Sequence, residues 1–228
     1  MDDIKTQAII DEYHGMLANR VYPCVGAKAA LAKEQIHCFV ADNISLPTDD
    51  KRIIEFLYDF VAVYRKANSM YHSASVIFRN PQGMTEDLFD KYLWERLQAL
   101  HELDAVNYNY DKRVKADPAS PEFSFSIKEE AFFIIGMNSN SSRLSRRFRY
   151  PALVFNPHHQ FQQLRAMDKY NSLKEVVRKR ETLYSGSINP MLDDYGNSSE
   201  VYQYSGKQYD GDWICPLIIK DHINTKPD

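Results

Sequence analysis

Two adjacent histidines, His158 and His159, follow Asn156-Pro157 in the run FNPHHQFQQLR. Proline fixes its own φ and restricts the residue before it, so the chain turns there, and a helix starts with both imidazoles in its first turn. Adjacent helical residues point about 100° apart, so one ring faces the interior and the two do not readily share a ligand. Phe161, three residues after His158, falls on the same side as His158. A neutral imidazole on a rigid turn, backed by an aromatic ring, suits an axial metal ligand; a satisfied structural histidine is the plainer alternative.

Three other groups could do chemistry. In SSRLSRRFRYP (141–151) the spacing puts Arg143 with Arg146 or Arg147 on one helical side. Guanidinium groups pair bidentately with carboxylates of cofactors or substrates, although a solvated basic face would look the same. Cys24 in YPC and Cys215 in CPL each adjoin a proline. A restricted turn could present a thiolate to iron or to a redox partner, and inert buried thiols are the alternative. In GNSSEVYQYSGKQYDGDW (196–213), Tyr202, Tyr204 and Tyr209 could wall a pocket, and Glu200, Asp210 and Asp212 could receive a cation. A surface hairpin accounts for that stretch equally well. There is no GxGxxG, GxSxG, HExxH or kinase signature, which argues against the commonest enzyme classes.

The elements that must position these residues follow from periodicity. Apolar residues recur at helical spacing over 3–19 and most strongly over 47–67, where Ile53, Ile54, Leu57, Phe60, Val61 and Tyr64 form one stripe and Thr48 or Asp49 could cap. Further helices are predicted at 26–35, at 84–104 (capped by Thr85, with Leu88, Phe89, Tyr92, Leu93, Leu97 and Leu100 inward) and at 158–184, the last interrupted near Asn171-Ser172. Strands are predicted at 36–42, 75–80, 123–127, 131–137 and 152–156, with brief ones at 201–204 and 215–219, and a polar surface loop at 105–122. This order predicts an α/β chain (α+β being the neighbouring class): a mixed central sheet with helices packed on it, in one domain over 1–228.

Composition narrows the partners. The 228 residues carry a net charge of −3, so there is no global basic field and neither nucleic acid nor membrane is an expected partner. No apolar run approaches the roughly 18 residues of a spanning helix, and MDDIKTQAII does not read as a signal peptide. Three unevenly spaced cysteines form no disulfide framework and fit a reducing cytoplasm. The 15 Tyr and 12 Phe suit a pocket lining, an interface such as a homodimer's, or an aromatic core.

Taken together, YPCVGAKAAL, SSRLSRRFRYPALVFNPHHQFQQLR and WICPLII resemble the YqcI/YcgG family of FPC/CPF-motif proteins, from residue 22 to residue 219. The block 141–165 is the most specific part. Tyr22 and Leu217 stand where the motif names have Phe, and Asn138-Ser139 stands where the pattern has His-Pro. Characterised members are heme-dependent N-hydroxylases acting on guanidine groups of arginine or arginine-like amino acids in natural-product pathways. The resemblance therefore implies a heme b oxygenase using dioxygen with an electron donor, or peroxide. It implies His158 as iron ligand, Arg146 and Arg147 against the heme propionates, and Cys24 and Cys215 close to the site. It also implies a substrate held by Asn138, Arg143 and one of Glu200, Asp210 and Asp212. A cysteine ligand with a structural His158, a heme-binding or heme-sensing protein without turnover, and a heme-free interaction protein are the alternatives.

Overall fold

The computed structural model describes residues 2–67, 69–193 and 196–220. Among them, five strands form one sheet: β1 (Ile36–Asn43), β2 (Ser73–Asn80), β3 (Phe125–Ile127), β4 (Glu130–Met137) and β5 (Ala152–Pro157), in the order β1-β2-β5-β4-β3. β1 and β2 pair in parallel, Val40 opposite Ile77, because a helix carries the chain back between them. The β2–β5, β5–β4 and β4–β3 pairs are antiparallel. The β3–β4 hairpin turns through Lys128 and Glu129, both with positive φ, as a two-residue hairpin requires. The sheet is thus mixed, as expected.

Seven helices complete the described chain: α1 (Asp2–Ala18), α2 (Val25–Ala32), α3 (Asp50–Lys66), α4 (Glu86–Ala105), α5 (His158–Ala166), α6 (Tyr170–Ser185) and α7 (Val201–Tyr204). Successive strand residues point to opposite faces, so the sheet presents two. On the first, Val76, Phe78, Ile134 and Phe155 pack against Leu57 and Phe60 of α3 and Phe89, Leu93 and Leu97 of α4. A buried Arg96–Asp50 pair at 2.7 Å ties α4 to α3. On the second face, Ile77, Met137, Ala152 and Val154 meet Ile9, Tyr13 and Leu17 of α1, with Ala27 and Leu31 of α2 beside them.

Several expectations need correcting. VYQY is the helix α7, not a strand: Val201, Gln203 and Tyr204 are buried, which also excludes a plain surface hairpin there. CPLII joins no strand; Ile218 exchanges hydrogen bonds with the Gln98 side chain instead. The arginine run is a single 3-10 turn at Leu144–Arg146 rather than an α-helix; it still brings Arg143 and Arg146 to one side, while Arg147 is exposed. Asp49 does not cap α3; its carboxylate accepts from the Asp42 backbone N–H and from Arg52. Thr85 does cap α4, but Leu88 points outward. The break in the 158–184 helix falls at Met167–Lys169, where Asp168 takes a positive φ. The 105–122 segment is not wholly superficial, since Asp111 is buried and accepts from Arg113 and the Ala131 N–H.

Candidate functional site

The second face is not filled along its whole length. Beneath α5 and α6 a cavity of 350 Å³ opens, of the order of small-molecule sites, roughly 300–1,000 Å³. Its floor is Phe133, Ile135, Met137 and Val154 of the sheet, and its roof includes Leu173 and Val177 of α6. The roof is held by polar bonds rather than by packing. Glu181 accepts from Arg143 Nη2 at 2.7 Å and Ser145 Oγ at 2.8 Å, while Arg180 Nη2 donates to the carbonyls of Arg20 and Tyr22 at 2.7 and 2.9 Å. No residue of α6 is fully buried. Leu173 and Val177, four apart, give the helix one apolar stripe, and that stripe faces the void.

β5 runs straight into α5, so Pro157 delivers His158 to the cavity wall. His158 is 3% exposed, and Phe161 lines the cavity with it; His159 turns elsewhere, its Nδ1 3.4 Å from Gln162 Oε1. His158 Nδ1 lies 3.4 Å from Ser124 Oγ and 3.9 Å from Glu200 Oε2. Glu200 Oε1 accepts from Ser124 Oγ at 2.7 Å and from Tyr204 Oη at 2.5 Å. Burial pushes the imidazole down to about 4 and the carboxyl up to about 8. At neutral pH the two are therefore a neutral imidazole beside a carboxylic acid rather than an ion pair.

Five of the sequence-derived site residues border the cavity: Cys24, Arg143, Arg146, His158 and Glu200. Three of them are engaged by the chain itself. Arg146 donates to the carbonyls of Gly136, Gln203 and Tyr204 at 3.1, 2.9 and 3.2 Å, so it ties β4 to α7 while bordering the cavity. Arg143 is paired with Glu181 and Ser187. Cys24 caps α2, its Sγ accepting from the Ala27 N–H at 3.4 Å, and burial pushes its thiol up, against thiolate ligation. The other five do not border it. Arg147 is exposed and donates to Ser141 O; Asn138 shapes a turn, its Oδ1 accepting from the Asn140 N–H. Asp210 and Asp212 are exposed. Cys215 packs against the α3/α4 core, the opposite side of the sheet from Cys24, so folding does not unite the two Cys-Pro motifs.

Residues missed in the sequence are Arg165, Lys174 and Arg178, which line the cavity from α5 and α6, and Ser124 behind His158. The four-residue spacing of Lys174 and Arg178 was a usable signal; nothing local marked Ser124. Among the described residues no cluster of three His, Cys, Asp or Glu side chains could hold a bare metal ion. A porphyrin supplies four nitrogens itself and asks the chain for an axial ligand and an apolar slot, and the donor set at His158 is of that kind.

The model of the YqcI/YcgG family matches residues 13–218. This chain belongs to that family. A relative is the uncharacterized protein YqcI of Bacillus subtilis (strain 168), 23% identical over 195 residues, which cover 82% of this chain and 74% of the relative. No solved structure matches the chain. The span shared with the YqcI/YcgG family begins at Tyr13 and takes in all the residues that line the cavity. No helix among the described residues is long and apolar enough to cross a membrane.

Proposed function

We propose that this YqcI/YcgG protein is a heme-dependent N-oxygenase that hydroxylates a guanidine or amine nitrogen of arginine or an arginine-like amino acid. One observation carries the proposal: a buried, neutral imidazole stands on the wall of an apolar 350 Å³ cavity, at the histidine that the family resemblance singles out. Bound there, heme b supplies the activation of dioxygen or peroxide. His158 would hold the iron through Nε2, since Nδ1 is turned toward Ser124 and Glu200, which fix the ring's orientation. Arg165, Lys174 and Arg178 line the cavity together with the expected Arg146 and would offset the porphyrin carboxylates; Arg147 does not border it. Phe133, Ile135 and Val154 keep water from the reacting face.

A second reading, heme binding or sensing without turnover, is favoured by the commitment of Arg143 to Glu181 and of Asn138 to its turn, since both were expected on the substrate side. One experiment separates the two. Hemin added to the purified protein should produce a Soret band that His158→Ala abolishes or shifts. The loaded protein, given arginine with peroxide or with dioxygen and a reductant, should then yield hydroxyarginine, heavier by one oxygen atom. A Soret band without product selects the sensor; a colourless protein eliminates both heme readings.

A further inference from the structure

Behind Glu200 the protein is aromatic as far as the surface. Tyr204, fully buried, donates to Glu200 at 2.5 Å, and its ring meets Phe133 of the cavity floor edge-on at 5.9 Å between centroids. Trp94 follows Tyr204 at 6.0 Å, and Trp213 follows Trp94 at 5.7 Å. Tyr209 stacks on Trp213 at 3.8 Å, and Tyr202 closes on the same indole at 5.2 Å. Trp213 is half-buried and lies between the exposed Asp212 and Ile214. Asp90 ends this row as a hydrogen-bond acceptor: its Oδ1 takes bonds from Trp94 Nε1 at 3.0 Å and from the Tyr209 hydroxyl, and the same Nε1 lies 3.3 Å from Tyr209 Oη, so Trp94 also meets Tyr209 directly. Packing alone does not ask for a polar, oxidisable residue at each step where Phe or Leu would fill the same space.

We propose that Tyr204, Trp94, Trp213 and Tyr209 form a one-electron conduit that drains oxidising equivalents from the cavity to the protein surface when no substrate is present. This rests on the oxygenase reading, which places a strong oxidant in the cavity bordered by Glu200 and Phe133, the two neighbours of Tyr204. Tyr and Trp give up an electron only to such an oxidant, so the row discharges excess oxidising power and is no path for a mild reductant. Tyr209 loses one electron along the row and its phenolic proton to the Asp90 carboxylate, leaving a neutral tyrosyl radical. Trp213 supplies a second electron and releases its indole proton to solvent. Hydrogen peroxide, the terminal oxidant, takes those two electrons and two protons from solvent and becomes two molecules of water.

The test treats hemin-loaded protein with hydrogen peroxide without substrate and freezes it within milliseconds for electron paramagnetic resonance, with ring-deuterated tyrosine to assign the signal. The wild type should show a tyrosyl radical that Tyr209→Phe removes. Trp94→Phe should reduce it severalfold and raise peroxide oxidation of Met137 and Cys24 at the cavity, read by peptide mass spectrometry. Tyr204→Phe, which keeps the ring's packing and removes the oxidisable phenol at the start of the row, should do the same if Trp94→Phe does not fold. A Soret complex with no organic radical, or with a radical indifferent to all three substitutions, overturns the conduit alone. Failure to form the complex overturns the oxygenase reading and the conduit with it.

Discussion

The two faces of the sheet are built from the same strands and do opposite things. Under α3 and α4 large apolar side chains interlock, and Ile53, Leu57, Phe60, Phe89, Leu93 and Leu97 are at most 2% exposed. Under α5 and α6 the strands are equally apolar, yet the covering helices stand off, tethered by Glu181, Arg143 and Arg180. A close-packed face stores stability; a face bridged by hydrogen bonds leaves room for a ligand at modest energetic cost. The second face is packed under α1 as well, so the difference teaches that one part of it, under α5 and α6, gives up packing to leave room for a ligand. Substitutions on the two faces should therefore separate cleanly in what they change.

The largest effect belongs to the packed face. Phe60→Ala should cost about 3–5 kcal/mol, read as a shift of the urea midpoint, because the space cannot collapse. Phe161→Ala, bordering the void, should cost less than about 1 kcal/mol, since it deletes contacts that are already incomplete. Equal losses would erase the distinction between the faces. A smaller effect is expected at Gly136, where β4 lies directly under α4. A Cβ there would sit 2.6 Å from Leu93 Cδ1 and 2.8 Å from Phe89 Cε1. Gly136→Ala should destabilise by about 1–3 kcal/mol through overpacking and leave hemin binding unchanged.

The packed face was the legible one. The stripe Ile53–Tyr64 repeats at helical spacing and β2, β4 and β5 are short continuous apolar runs, and most of their side chains proved buried. His158 was legible too, because Pro157 makes the strand-to-helix turn a local event. What failed was whatever depended on distant partners. Arg146 was expected against a propionate, and nothing local announced its three carbonyl acceptors, two of them from α7, nearly 60 residues later. Glu200 was read beside Asp210 and Asp212, yet it turns inward with α7 while they stay in solvent. Cys24 and Cys215 each adjoin a proline and lie on opposite faces, because the start of α2 and the 215–219 segment pack on different sides of the sheet.

The hollow face should also show in the pH dependence of stability, on a scale of about 2 kcal/mol. Glu200 rises from 4.5 unfolded to about 8 folded, so its contribution is complete below 4.5 and is lost as pH climbs through 8. His158 falls from 6.5 to about 4, so its contribution is complete above 6.5 and is lost as pH drops toward 4. Between about 4.5 and 6.5 the two slopes cancel. Asp104, raised to about 6, adds to the loss within that window and is nearly all ionised by pH 7. Burial also lowers His14, His37 and His72, so together with His158 they oppose Glu200 just above 6.5. Glu200's own share, at about 1.4 kcal/mol per unit, is read as the difference between wild type and Glu200→Gln, which should reach roughly 2 kcal/mol from pH 6.5 to 8. Stability curves of the two proteins that run in parallel over that interval would mean that Glu200 is ionised in the fold.

The smallest stability change should come with a clear binding change. Leu173 faces the cavity from a helix with no buried residue, so Leu173→Ala removes little native contact and should cost less than about 1 kcal/mol of folding stability. The same side chain covers any ligand beneath it, and losing its apolar surface should weaken hemin binding by about 1.4 kcal/mol, roughly tenfold. Titration with hemin, followed at the Soret band, reads the affinity, and urea unfolding of the unloaded protein reads the stability. If Leu173→Ala instead unfolds the protein as Phe60→Ala does, α6 is part of the packed core rather than the roof over a binding site. Should affinity and stability both stay unchanged, the ligand does not reach α6, and Arg165, Lys174 and Arg178 lose their place against its carboxylates.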